Sequence, residues 1–241
     1  MNDIIRQLSE RMAMRGYTNQ EIAAEEKEAI LHAAIMAPTV GCQQLYTILD
    51  ITDAALKSRL AVLCDGQSFI NKGKLVLIFC ADVQKWYDIY ASGGCDPRKP
   101  QLGDLMLAIT DAMAAAQNAV VAADSLGIAS SYVGEVVGNR ESIRELLNLP
   151  EYVLPVTMLV FGFPAAQQFP QPREDRVEMK YVVHENGYQN MDKPTLRTML
   201  FERAGAHGFD TWARNFCKRR YHTDFAAEMN RSMAEYLKAF E

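Results

Sequence analysis

The sequence predicts an α+β fold, a sheet sandwiched between helices, and three stretches carry that prediction. Residues 75–80 (LVLIFC) and 156–163 (VTMLVFGF) are unbroken apolar runs of strand length, the pattern of strands buried on both faces. Residues 103–134 (GDLMLAITDAMAAAQNAVVAADSLGIASSYVG) contain no Lys or Arg, and Asp104, Asp111 and Asp124 are their only acids. A helix this apolar on every side must be buried. Asp104 is read as its N-cap and Gly127 as its stop, giving one helix over 104–126, more than about 30 Å long at about 1.5 Å per residue. It is either the central helix of a monomer or one whose Ala and Met surface, Ala115 included, also closes a homodimer.

The remaining elements follow in chain order. An amphipathic helix is expected over 4–14, ending near Gly16, with Arg6, Arg11 and Arg15 spread along a solvated face. Thr18-Asn19-Gln20-Glu21 resembles a cap that opens a helix running to Ala37-Pro38. A loop of small residues and amides, 38–44, precedes a strand over 46–51 and a helix over 56–64. Residues 84–102 hold aromatics, Gly93-Gly94 and prolines without a regular period, and read as a mobile excursion over a site. Ala129-Ser130-Ser131 reads as a small-residue turn leading to Tyr132-Val133-Gly134, where backbone amides can approach a ligand. Asn139 caps a short helix. A Pro- and Gln-rich connector follows at 165–175, then a short strand over 180–184 and terminal helices over 193–204 and 224–241 that lie as arms on a body or a partner subunit.

Composition narrows the classes of function. The chain has 241 residues, enough for a sizeable core, and a formal net charge of −5 with no basic stripe beyond Lys218-Arg219-Arg220, which argues against nucleic acid as partner. The apolar helix is punctuated by Asp111 and Gln117-Asn118, which argues against a membrane span. The first residues carry acids and no signal-type apolar stretch, so a cytoplasmic location is expected. Five scattered cysteines without CxxC predict no disulfide framework. The four histidines lack metal-ligand spacing, and no metal site is expected. There is no G-x-S-x-G, Walker A or G-x-G-x-x-G motif, and no activated nucleophile stands out. Any reactivity is therefore expected from a cofactor.

An ordered set of short motifs resembles the FMN-dependent nitroreductase family, including its subgroup of NADPH-dependent flavin reductases and oxygen-insensitive nitroreductases. The set is Arg11-x-x-x-Arg15-x-Tyr17, Ala37-Pro38-Thr39 with Gln44, Gly66-Gln67, the stretch from Gly127 to Gly134, Gly162-Phe163-Pro164, Gln171-Pro172-Arg173 and 183–189 (VHENGYQ). The resemblance implies a central mixed β-sheet flanked by helices in an intertwined homodimer, with residues 1–190 as the FMN-binding domain and 191–241 as a helical extension packing on the dimer. It implies FMN as cofactor, NAD(P)H as electron donor and a small-molecule acceptor, with no catalytic side chain because flavin N5 carries the chemistry.

The resemblance also implies roles for individual residues. Arg11 and Arg173 would hold the FMN phosphate, with Ala13 beside them, and Arg15 would run along the ribityl chain toward N1 and O2, where reduction places negative charge. Gln67 would bond the pyrimidine edge, and the backbone of Tyr132, Val133 and Gly134 would approach N5 and O4. Pro38, Thr39, Val40 and Cys42 would come from the other subunit. Family members usually carry Ser at Ala13, Asn at Cys42 and Lys at Gln171, so two phosphate partners are missing. Cys42 is expected to be a buried, inert thiol. The alternatives are an FMN enzyme with a dedicated substrate, through reductive dehalogenation or enone reduction, and a non-enzymatic flavin-binding protein. Lys85, Arg98, Lys99, Arg197 and Arg203 are candidate contacts for the donor's 2′-phosphate.

Overall fold

Strand β2 (Leu75–Asp82) lies at the centre of a four-stranded sheet ordered β1-β2-β4-β3, where β1 is Tyr46–Asp50, β3 is Ala129–Val133 and β4 is Val153–Gly162. The computed structural model describes residues 2–165, 176–205 and 208–241. Alternation along β2 divides the core in two. Leu75, Leu77 and Phe79 join one apolar cluster, while Val76, Ile78 and Cys80 join the other. The helices are α1 (Asp3–Glu10), α2 (Ala24–Ile35), α3 (Ala54–Leu63), α4 (Phe69–Lys72), α5 (Gln84–Ser92), α6 (Leu102–Ser125), α7 (Arg140–Leu147), α8 (Lys193–Met199), α9 (Phe201–Ala204), α10 (Phe209–Arg220) and α11 (Asp224–Leu237). Helices α2 and α6 cover the first face, and α3, α4 and α7 the second.

Every described strand pairing is antiparallel, which corrects the expectation of a mixed sheet. Between β2 and β4 the register shifts: Phe79 faces Thr157 but Cys80 faces Pro155, leaving Val156 bulged. Pro155 has no N–H to donate, so the ladder slips there.

Helix α6 is the predicted apolar helix, with Gly127 beyond its end at φ +72° as a C-terminal stop requires. Asp104 is not its N-cap. That position is Gln101, whose N–H donates to the Asp104 carboxylate at 2.8 Å while Arg98 grips the same carboxylate from outside. Burial of the helix is one-sided: Ala108, Ala112, Ala115, Ala119 and Ala123 are sealed, whereas Met106 is 64% and Met113 39% exposed. Its length and apolar character match a membrane span, but its buried face packs on α2 and the sheet. Ala115 belongs to this internal core, so it cannot lie on a seam between subunits.

Several local expectations are corrected. Helix α1 stops at Glu10, and Arg11 turns extended at ψ 132° because Met14 N–H pairs instead with the Ser130 carbonyl, at 3.1 Å. Helix α2 begins only at Ala24, with Glu26 reaching back to the Ala23 amide. Residues 84–92 form the helix α5 rather than an excursion without period. Ala129-Ser130-Ser131 is strand, not turn. Residues 179–181 make a 3-10 turn where a strand is expected, and α10 is an additional helix.

The chain forms two compact units, residues 1–170 with 228–241, and residues 171–227. In the first, the end of the chain caps α7. The Asn139 N–H donates to Glu228 and the Arg140 N–H to Ser232 Oγ, each at 3.0 Å, supplying acceptors to the unpaired amides of a helix start. Asn139 is at the cap position but bonds Leu63 O through its side chain. Arg231 then bridges Glu228 and Glu141 and holds both carboxyls down to about 2. Carboxyls depressed in the folded state stabilise it above their ordinary value near 4.5 and lose that contribution as the pH falls toward 2. Replacing Arg231 with Ala should therefore flatten the fall of Tm between pH 4.5 and 2. The difference is modest because the network is solvent-screened, and equal slopes for the two proteins would refute it.

Candidate functional site

Residues 11–18 form an irregular strap across one end of the sheet. Tyr17 bridges to Pro164, Thr18 N–H donates to Phe163 O at 2.8 Å, and Ala165 N–H donates to Gly16 O at 3.1 Å. The Tyr17 hydroxyl lies 2.8 Å from Met14 O and 2.9 Å from Val160 O, both acceptors, and burial raises its pKa. The ring occupies the space a side chain at Gly162 would need: a Cβ there would sit 2.7 Å from Tyr17 Cγ.

This strap fixes the two arginines. Arg11 donates to Ser130 Oγ at 3.3 Å and stands 6.0 Å from the centre of the Tyr132 ring, and Arg15 sits 5.6 Å above Phe69, two residues beyond Gln67. The Gln67 turn is held by Gln67 N–H to Ala61 O and its side-chain amide to Cys64 O, each at 3.0 Å. Cys64, Phe69 and Val133 share one core cluster, while Gly134, itself exposed, opens a 3-10 turn whose Val136 and Val137 are buried. Arg11 thus meets β3 at Ser130 and Tyr132, Arg15 meets the segment that follows Gln67, and Val133 and Gly134 lie at the far end of β3, while Ala13 lies exposed on the strap between the arginines. Arg173 and Gln171 lie outside the described residues.

Neither Arg11 nor Arg15 has an ion-pair partner among the described residues, and Arg11 Nε is buried without a hydrogen-bond acceptor. A buried guanidinium N–H without an acceptor is costly. An anion with several oxygens removes that cost, so the strap fits the phosphate and polar chain of FMN. A cavity of about 560 Å³ beside Arg11 is a poorer match, because Asp3, Glu10 and Asp124 line it together with Arg6.

The loop 38–44 forms a second group. Its backbone is left-handed at Gly41, Cys42 and Gln44, with φ of +55°, +56° and +50°. Only the glycine tolerates this freely, and each of the other two costs about 1–2 kcal/mol. Cys42 is exposed, which corrects the expectation of a buried thiol; the inert buried thiols are Cys64 and Cys80, both pushed up to about 12 by burial. The loop is tied down by Asp111 of α6, which is 3% exposed. Asp111 accepts from Thr39 Oγ1 and, at 3.2 Å, from both Val40 N–H and Leu45 N–H. From α5, Trp86 Nε1 donates to Gln43 O at 2.7 Å, and Gln43 Nε2 donates to Tyr90 Oη at 3.0 Å.

Within one chain, no hydrogen bond, ion pair or ring contact among the described residues joins Pro38, Thr39, Val40 and Cys42 to the arginine strap. The candidate 2′-phosphate contacts are already engaged: Lys85 with Tyr46 O, Arg98 with Asp104, Lys99 with Glu241 O and Arg197 with Asp210, and Arg203 too has a partner. Sequence reasoning missed Ser130, Phe69, Trp86 and Asp111. Only Asp111 left a signal, as an acid in mid-helix among alanines.

Comparison with known proteins shows the family to which the chain belongs. The chain is 34% identical over 197 residues to an oxygen-insensitive NADPH nitroreductase of Salmonella typhimurium, covering 81% of this chain and 79% of that protein. It is 28% identical to an FMN reductase (NADPH) of Bacillus subtilis, covering 95% and 98% of the two chains. The solved structure of the hypothetical oxidoreductase YcnD from Bacillus subtilis superposes with a TM-score of 0.84 at 26% identity, covering 98% of each chain. The sequence model of the nitroreductase family matches residues 8–163, a span that holds the strap, the loop, the Gln67 turn and the whole sheet, and the chain belongs to that family.

Proposed function

We propose that the protein is an FMN-dependent oxidoreductase that uses NAD(P)H to reduce nitroaromatics, quinones or flavins, acting as a cytoplasmic homodimer. The observation that carries this reading is the pair of guanidiniums on the strap, without an ion pair among the described residues in a chain of net charge −5. Arg11 binds the phosphate, Arg15 lies toward the N1 and O2 edge, Gln67 orients the pyrimidine edge, and the amides of Val133 and Gly134 face N5 and O4. Bound FMN supplies the redox chemistry, accepting hydride from NAD(P)H and passing the electrons to an acceptor that follows it onto the same face. The protein's own work is to bind, orient and neutralise charge that grows on reduction.

The homodimer is supported by an apolar surface. Met106 and Met113 of α6, with Met36 at 67% exposure and Val40 in the loop, form an uncovered stripe that a second copy would bury. A second reading, a dedicated aromatic substrate, is favoured by a cavity of about 330 Å³ lined by Trp86, Tyr87, Tyr90 and Arg98 beside Gln43 of the loop.

The test is to titrate the purified protein with FMN and mix the yellow complex anaerobically with NADPH or NADH. Retention of one flavin per chain and bleaching by at least one donor are expected; a protein that stays colourless removes the proposal. Arg11→Ala should weaken FMN binding roughly 10- to 150-fold, the loss of one charge-assisted bond of about 1.5–3 kcal/mol, read from quenching of flavin fluorescence.

A further inference from the structure

We infer that Asp111 is a positioning residue for the flavin, acting through the loop 39–45 from the core of its own subunit. Its carboxylate is sealed inside an otherwise alanine-rich face, where an ionised group persists only if donors surround it. All of its donors come from the loop: Thr39 Oγ1, Val40 N–H and Leu45 N–H. Thr39 Oγ1 in turn accepts from the Gln44 N–H at 2.7 Å, so the carboxylate and hydroxyl together hold both ends of the loop. Between those ends lie Gly41, Cys42 and Gln44 in the left-handed region. The loop's own backbone does not favour that path, and the bonds from α6 select it. No lysine or arginine balances the carboxylate among the described residues, which leaves the loop amides as its counter-dipoles. The same helix carries the exposed Met106 and Met113 on its other side, so one rigid element sets the loop and the surface against which a second copy would seat. The link to flavin rests on the function proposed above; the link to loop geometry does not.

The full-length chain tests both links. In Asp111→Asn one carboxylate acceptor becomes an NH2 donor facing N–H groups, so amide exchange at Val40, Gln44 and Leu45 should accelerate at least tenfold and the Kd for FMN should rise at least tenfold. Arg231→Ala, which removes the bridge between Glu228 and Glu141 and touches neither the loop nor the strap, serves as a control that lowers Tm while leaving those three amides and the FMN Kd within twofold of wild type. Thr39→Val removes only the hydroxyl link and should free the Gln44 amide, which decides the matter if Asp111→Asn does not fold. Unchanged exchange at the loop amides in both variants overturns the inference, as does fast exchange with an unchanged FMN Kd. A wild-type protein that takes up no FMN overturns the function proposed above, and the exchange arm then decides the loop on its own.

Discussion

Met113→Arg should yield a monomer that no longer retains FMN. Met113 is 39% exposed at the middle of the uncovered face of α6, which runs Met106, Thr110, Met113, Gln117 at helical spacing. In a single chain the new guanidinium reaches water, so the fold should survive, with an unchanged far-ultraviolet spectrum. In a two-fold dimer the charge enters the seam twice. An uncompensated buried charge costs about 3–5 kcal/mol, enough to raise the dimer dissociation constant more than about a hundredfold. Light scattering behind a sizing column, with the flavin absorbance recorded on the same peak, reads both outcomes together. A yellow monomer would show that one chain suffices for the cofactor, and a yellow dimer would show that the seam lies elsewhere. Ala115→Arg cannot serve in its place, because Ala115 faces the chain's own core and a charge there would unfold it.

Gly162→Ala should destabilise the protein and loosen the arginine strap in one step. The added methyl would stand 2.7–2.9 Å from three atoms of Tyr17, too close for any arrangement in which the ring stays where it is. Overpacking of this kind costs about 1–3 kcal/mol, which for a chain of this size is a fall of roughly 2–12 °C in Tm. If Tyr17 moves instead, the hydroxyl leaves Val160 O and the strap loses its anchor, so FMN affinity should fall with it. Tyr17→Phe gives the comparison, since it keeps the ring and removes only the hydroxyl. A scanning-calorimetry trace for Gly162→Ala that overlays the wild type would show that the contact is not tight in solution.

The parts of the fold that the sequence reveals are those whose side chains are apolar on more than one face. Strands β2 and β4 are legible because burial on both faces leaves almost no polar residue in the run, and helix α6 because its Ala- and Met-rich length holds no Lys or Arg. Strand β3 is not, because it is an edge strand built of Ala129, Ser130 and Ser131, small residues that also suit a turn. Helix α5 buries no residue fully, so no apolar period marks it. Residues 182–183 are a Val pair that reads as strand, yet both are exposed and find no strand to pair with among the described residues. Arg11 and Arg15 continue a helical spacing, and only the bond from Met14 to Ser130, far off in sequence, takes them out of the helix. Tertiary contact overrides local pattern there. The strap and loop residues were reached through the resemblance of their motifs, whereas Asp111 and Trp86, which act from behind, carry no motif at all.

The latch between Tyr17 and Val160 joins residues 143 positions apart. The strap therefore leaves the ribosome long before the strand it docks on, and it has no seat until β4 has been made and placed against β2. Until then its two guanidiniums are not held in place. On the function proposed above, cofactor capture is thus a late event in the life of each chain, coming after the sheet is complete.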